Sequence, residues 1–486
     1  MTIVIVALVF YSNQFGFVNR LIYRFKKPLC KDCNIILVSI DTLGAKHLPC
    51  YGYNRNTSPK LCAFARDNIF FANAFSNSTF TLPSHVSLFT GLLASTHGVN
   101  APYIDGLKKD TPFLPEILKQ NGYETIFVMP STDPHLPIIK VYNRGIDILL
   151  DEKPQKSSWD DALLKLKNNN RMGKKTFLFL HTYLVHAPYT TEDQPKLFTT
   201  DTIDDIPLTR VEYENISNGL IEYIASSVSA ELRTNVLSPS DTRETSDALT
   251  KITSLGSDYK KIRAIINKNP YFWGFIHSYN YLRKIDINSA RHIEYIKALY
   301  DQKIKNLDDM YIDKLLSFIA DESVKDDTIV VITSDHGEEF MEHGAIEHTT
   351  LYDWNTKIPL IMRIPGIGKT YNSLPVQTID IMPSILDVVG IGRATIYLQG
   401  SGLTGNTKKT INNRLLIAEQ KNKATLRWGR WKLFLNTKIS PPLPTELYDT
   451  QSDPGEKNNI LFSRFDVAKQ ILNQHNEERR GMPNAR

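Results

Sequence analysis

Three short runs constrain this chain more than anything else in it. Residues 34–41 read Asn-Ile-Ile-Leu-Val-Ser-Ile-Asp, residues 328–335 read Thr-Ile-Val-Val-Ile-Thr-Ser-Asp, and residues 176–181 read Thr-Phe-Leu-Phe-Leu-His. Each is apolar without alternation, so each must be covered on both faces, as strands inside a parallel sheet are. Each ends on a residue that can bind a metal or move a proton: Asp41, Asp335 and His181. In open α/β sheets ligands bind at the carboxyl ends of the strands. The expectation is an α/β fold whose chemistry gathers at one edge of a central sheet.

Helical patterns separate the strands. One starts near residues 84–90, another covers 113–119, and a long periodic stretch covers 291–318. Residues 195–287 are polar and mostly helical in pattern, and read as an insertion, either a substrate-facing lid or a helical pad. From about residue 400 the texture changes to short strands near 415–419 and 431–436, then a last helix near 465–478. The expected organisation is an apolar segment over 1–28, a catalytic domain over 29–400 and a smaller C-terminal α+β subdomain over 401–486.

Lys and Arg are interspersed with Asp and Glu, and the formal charge is only +5 over 486 residues. That excludes a nucleic-acid partner as the main reading. The four cysteines, Cys30, Cys33, Cys50 and Cys62, all fall in the first 62 residues. Their spacing fits a zinc site poorly. Structural disulfides or plain thiols are the expectation, and disulfides would imply an oxidising compartment. Residues 2–10 and 15–23 are largely apolar but interrupted, with Arg24, Lys26 and Lys27 following. This is either the end of a membrane anchor or a peripheral helix. Membrane-associated or extracytoplasmic placement is favoured over cytoplasmic.

Asp41, Asp335 and the adjacent His336 form a set with a shared destination. Two strand-end acids and an imidazole can converge on one divalent ion, and this donor mixture suits zinc or manganese ahead of calcium. Singly, a strand-end Asp is often only a helix cap. Together the ligand reading is the stronger one.

Residues 79–91, Thr-Phe-Thr81-Leu-Pro83-Ser84-His85-Val-Ser-Leu-Phe-Thr90-Gly91, carry a wider resemblance. With Ile40-Asp41-Thr42-Leu43, Cys50-Tyr-Gly-Tyr53, His181 to Tyr189, Ser334-Asp-His-Gly-Glu338, His343, His348 and residues 378–386 and 447–456, the chain resembles the sulfatase family of the alkaline-phosphatase superfamily. The resemblance implies a central mixed sheet flanked by helices. It implies a metal held by Asp41, Thr81, Asp335 and His336, and a small anionic ester as substrate.

The departures refine that expectation. Sulfatases convert a signature Cys or Ser to formylglycine, but here the position is Thr81, which cannot form that aldehyde. The signature Arg is replaced by His85. Threonine nucleophiles belong instead to relatives acting on phosphoesters. The implied reaction has Thr81 Oγ attack phosphorus or sulfur, with His186 or His348 protonating the leaving oxygen and later activating water. His85, Lys46 and Lys357 are further candidates, with Lys46 expected to point to solvent. A second metal is not expected, because the position four before His186 is Thr182 rather than Asp, leaving only His181 and His348 as spare ligands. The leading reading is a phosphoester or phosphodiester hydrolase or group transferase. The alternatives are a sulfuric ester hydrolase working without formylglycine and a catalytically silent protein that keeps the fold.

Overall fold

The computed structural model describes residues 28–99, 107–130, 144–152, 158–189, 197–199, 203, 254, 261, 284–393, 396–404 and 414–480. The apolar N-terminal segment, up to residue 27, and nearly all of the insertion near 195–287 lie outside the described residues. Among the described residues no helix is long and apolar enough to cross a membrane.

An eight-stranded mixed sheet forms the centre. Its strands in chain order are β1 (Asn34–Ile40), β2 (Ile69–Phe71), β3 (Tyr123–Met129), β4 (Ile148–Asp151), β5 (Lys175–Thr182), β6 (Thr328–Ser334), β7 (Leu360–Arg363) and β8 (Thr370–Asn372). The spatial order is β8-β2-β7-β6-β1-β5-β3-β4. From β6 across to β4 the neighbours run parallel, whereas β7 pairs antiparallel with both β6 and β2. The three apolar runs are thus the three central strands, and β1 and β6 are buried along their whole length.

Two helical layers cover the sheet because alternate strand residues face opposite ways. Ile35, Leu37, Phe127, Phe177, Phe179 and Val331 pack on α2 (Thr81–Thr90), α3 (Leu114–Gln120) and α6 (Ile381–Val389). Ile36, Val38, Val128, Leu178, Leu180 and Val330 pack on α1 (Pro59–Asp67), α4 (Trp159–Arg171) and α5 (Ala290–Leu307). Each fully buried side chain of this size contributes about 1.5–3 kcal/mol.

The helix expected over 291–318 is not continuous. After α5 the chain widens into a π turn at Asp308–Ile312 before resuming as Asp313–Ile319. The turn places the Asp308 carboxylate against the N–H groups of Lys60 and Leu61, where it caps the first turn of α1. Tertiary capping therefore overrides a uniform helical period there.

The four cysteines form two disulfides, Cys30–Cys33 and Cys50–Cys62. The second ties the segment after β1 to α1. The C-terminal subdomain is an antiparallel sheet of β9 (Leu416–Gln420), β10 (Lys423–Trp428), β11 (Trp431–Asn436) and β12 (Leu443–Asp449), with α7 (Phe465–Arg480) on one face. Ile417, Leu426, Leu433 and Leu447 meet Val467 and Ile471 there, together with Leu93 and Ile379 from the larger part.

Candidate metal and ester site

Register alone assembles the acids. Ile40 of β1 stands opposite Ser334 of β6, so the next residues, Asp41 and Asp335, leave the sheet side by side. On the other flank Ser39 stands opposite His181 of β5. Asp41, Asp335, His336 and His181 are all fully buried.

The polar atoms of Asp335 and His336 are unequally used. Asp335 Oδ1 accepts from the N–H groups of Thr42 (3.2 Å) and His336 (2.8 Å). Its Oδ2 is buried and accepts no hydrogen bond. His336 Nδ1 lies 3.1 Å from the Gly337 carbonyl, which can only accept, so Nδ1 carries the hydrogen. That leaves a lone pair on Nε2, again buried and without a hydrogen-bond partner. The two open atoms face each other at 3.5 Å. Burial pushes the His336 pKa down to about 4, which keeps the ring neutral and ligand-competent at neutral pH. Burial opposes ionisation of Asp335, but His336, His85, His181 and the His336 N–H outweigh it and hold its pKa down to about 2.

Leaving such groups unmade costs about 1–3 kcal/mol each. A cation received by both atoms removes that cost. One ligand atom each from Asp41, Asp335 and His336 lies within 4.8 Å of the others. Two carboxylates and a neutral imidazole in this arrangement fit a divalent ion. Gly337 is needed for the turn, since a Cβ there would sit 2.2 Å from the Trp354 carbonyl oxygen.

Thr81 opens α2, and its Oγ1 donates to Asp41 Oδ2 at 3.2 Å. The helix N-terminus under it favours negative charge. Ser84, in the same motif, donates to the Asp335 carbonyl at 2.7 Å and so pins α2 to the end of β6. Gly91 ends the helix in the left-handed region at φ 65°. The expected start near residue 84 therefore moves forward to Thr81, because Thr81 to Pro83 wind into the first turn.

His85 lies one turn further and faces the core. Its Nε2 is 2.9 Å from Ser39 Oγ, its ring is 4.6 Å from that of His181, and it is fully buried. Burial pushes its pKa down to about 3. It therefore buttresses the floor beneath Thr81. His181 Nδ1 is 2.9 Å from the Ser39 carbonyl, and its Nε2 is 3.7 Å from Asp41 Oδ2.

The two remaining histidines stand above this floor. The His348 ring is 4.4 Å from that of His336, 5.5 Å from that of His186 and 6.1 Å from Phe80, the neighbour of Thr81. Burial lowers the His348 pKa, but Glu338 and Glu347 more than offset it, and the net direction is up. His186 Nδ1 lies 2.6 Å from the Ala187 carbonyl.

Lys46 departs from expectation. Its Nζ lies 4.5 Å above the Trp354 ring and donates to the Pro454 carbonyl at 3.1 Å, so it is docked rather than pointing to solvent. Lys357 donates to Asn73 Oδ1 at 3.3 Å. Ser39, Ser84 and Glu338 escaped the sequence reading as partners. The alternation of β1 would have aimed Ser39 at α2, but Ser84 and Glu338 were legible only as letters of their motifs.

The Sulfatase family profile matches residues 33–391. Arylsulfatase K of Gallus gallus is 22% identical over 475 residues, 91% of this chain and 81% of that protein. Arylsulfatase K of Danio rerio is 25% identical over 219 residues, so the matched part spans only 40% of this chain and 40% of that relative. The crystal structure of a phosphonate monoester hydrolase of Agrobacterium radiobacter superposes with a TM-score of 0.62 at 17% identity, covering 92% of this chain and 96% of that one. At that identity the likeness speaks for the fold. With the profile covering well over half of the chain and the acid and imidazole set standing at the strand ends, this chain belongs to the sulfatase family.

Proposed function

We propose that the chain is a metal-dependent ester hydrolase or group transferase that uses Thr81 as its nucleophile, with a phosphoester, phosphodiester or phosphonate ester as substrate. The observation that supports this reading is the Thr81 Oγ1 bond to Asp41 Oδ2 at 3.2 Å, an alcohol beside the candidate metal acids, in the residue that aligns by motif with the family's formylglycine and cannot form that aldehyde. A formylglycine hydrate releases sulfate by collapsing to the aldehyde. A threonyl ester has no such exit and must be opened by water or another acceptor.

Asp41, Asp335, His336 and Thr81 would hold one divalent ion, zinc or manganese ahead of calcium. When bound, such an ion supplies positive charge to the alcohol oxygen and to the ester's equatorial oxygens. The chain's own groups do the rest. Thr81 Oγ attacks in line from the N-terminus of α2, where the helix dipole favours its developing charge. His348 or His186 gives a proton to the departing oxygen, and the same ring then takes one from the water that opens the threonyl ester. His85 and His181 hold the floor on which Asp41 rests.

The names of the Arylsulfatase K relatives support a second reading, a sulfuric ester hydrolase that works without formylglycine. The phosphonate monoester hydrolase that shares the fold is compatible with the first. An ester panel decides between them: 4-nitrophenyl sulfate, phosphate, methylphosphonate and a bis-aryl phosphate, each with zinc, manganese or calcium. Turnover of a phosphorus ester ahead of the sulfate is expected. Cleavage of sulfate alone would overturn the preference.

A further inference from the structure

We propose that Glu338, backed by Tyr189, is the positioning residue that fixes the ring of His348 for proton delivery to the leaving group. The inference rests on the reading of His348 as the acid.

The geometry begins in the backbone. A two-stranded ribbon pairs Glu339–Phe340 with Ile346–Glu347, with Glu339 opposite Glu347. The next positions outward on the two arms are Glu338 and His348. The ribbon therefore sets them side by side as a cross-strand pair, the separation at which side chains meet. Glu338 Oε1 lies 3.3 Å from His348 Nδ1. Its other oxygen, Oε2, accepts from the Tyr189 hydroxyl at 2.7 Å. Glu338 and Tyr189 are both fully buried. Tyr189 is itself wedged against Tyr300 and Phe340, each with ring centroids 5.5 Å away. Both oxygens of the carboxylate are thereby committed, and its orientation is set from two sides.

A carboxylate can only accept, so this contact assigns a hydrogen to Nδ1. The opposite nitrogen, Nε2, is then the one that exchanges a proton with substrate. In the forward step Thr81 Oγ bonds to phosphorus or sulfur as its proton passes to Asp41 Oδ2, to which it already donates. In the same step the Nε2–H proton passes to the leaving oxygen while the bond from that oxygen to phosphorus or sulfur breaks, its electron pair staying on oxygen. In the return step water attacks the threonyl ester, its proton goes to Nε2, and the bond from Thr81 Oγ breaks with its electron pair staying on Oγ, which takes back the proton from Asp41. Glu338 touches no reacting atom in either step. It holds the ring in one tautomer and steadies the transient positive charge. Glu338 stands two residues after His336, so the candidate metal-ligand turn and the positioning carboxylate share one short stretch of chain.

Two readouts test this. The first is the tautomer of His348 in the purified chain labelled with 15N-histidine, its signals assigned by their loss in His348→Gln. A proton on Nδ1 is expected, and a neutral ring protonated on Nε2 would overturn the inference whichever ester the chain cleaves. The second is the leaving-group dependence of kcat for 4-nitrophenyl and phenyl esters of sulfate and methylphosphonate. Glu338→Gln, which keeps the volume, should lose about 10- to 100-fold more kcat on the phenyl than on the 4-nitrophenyl ester, because a poor leaving group needs the acid more. Tyr189→Phe should shift the same ratio in the same direction by less, and it serves if Glu338→Gln does not fold. An equal loss on both esters, with His348→Gln still selective, sinks the positioning role and leaves the acid reading. An unselective loss in His348→Gln sinks both.

Discussion

Two buried polar clusters, one around Asp335 and His336 and one around Asp353, are finished differently. At Asp335 and His336, one atom of each side chain is used by the backbone and the other is left open toward its neighbour. At Asp353 the charges are paired with opposite charges, although Glu456 Oε1 makes no hydrogen bond. Its Oδ1 receives Lys432 Nζ at 2.7 Å and the guanidinium of Arg427, while Glu456 accepts the Asp353 N–H at 2.6 Å and pairs with Lys432 at 2.8 Å. These four side chains are each less than a tenth exposed. The second cluster locks the C-terminal sheet, through β10 and β11, onto the catalytic part. A buried set whose opposite charges pair with one another is a fastening, whereas one that leaves lone pairs converging can receive a ligand.

Mutation can break that contrast from either side. The largest effect is expected at the proposed nucleophile, where Thr81→Ala should lower turnover by on the order of 1000-fold or more and remove any covalent adduct seen by intact mass. Substantial residual activity would reject the assignment. Next comes Asp335→Asn, which blunts an open ligand atom. Bound divalent metal, measured by elemental analysis, should fall together with turnover, on the order of 100-fold, while the chain stays folded. Chelation of the wild type should mimic this and lower the melting temperature, since a ligand of the folded state stabilises it by mass action.

The closed cluster predicts the reverse pattern. Lys432→Met leaves two buried carboxylates short of a cation and should cost about 3–5 kcal/mol in chemical denaturation, with metal content unchanged. A mutant that kept its stability but lost its metal would erase the distinction. The pH profile of stability follows the same logic. Burial raises the Asp353 pKa, but Arg427, Lys432 and Lys46 overwhelm it and hold the carboxyl well below the usual range. A folded-state pKa below the unfolded one gives stability that is fully present above the unfolded value, about 3.9, and is lost as pH falls below it. Acid denaturation should therefore flatten in Asp353→Asn at the cost of lower stability at neutral pH. The smallest effect is expected at Lys46→Met, about 0.5–1 kcal/mol for its contact with Trp354.

The three apolar runs and their terminal Asp and His residues made the central strands and the ligand-bearing edge readable in advance. A strand buried on both faces must be apolar throughout, and strand-end acids taken together with a neighbouring histidine point to a shared ligand. Thr81 and the Asp-His pair stood out for a second reason, since their spacing within short motifs is local, whereas His85, expected to take part in the chemistry, is buried in the core against Ser39. What lay beyond the sequence was everything set by distant partners. The π turn exists because Asp308 caps a helix that begins almost 250 positions earlier. Lys46 is docked because Trp354 and Pro454 arrive beneath it from distant parts of the chain. Side-chain periodicity reports which face a residue takes, but not which remote group waits there. By itself the sequence determined the sheet, the acids at its edge and the alcohol beside them. Only the tertiary structure decided which polar atoms were closed by neighbours and which were left open, because that depends on pairings between residues far apart in the chain.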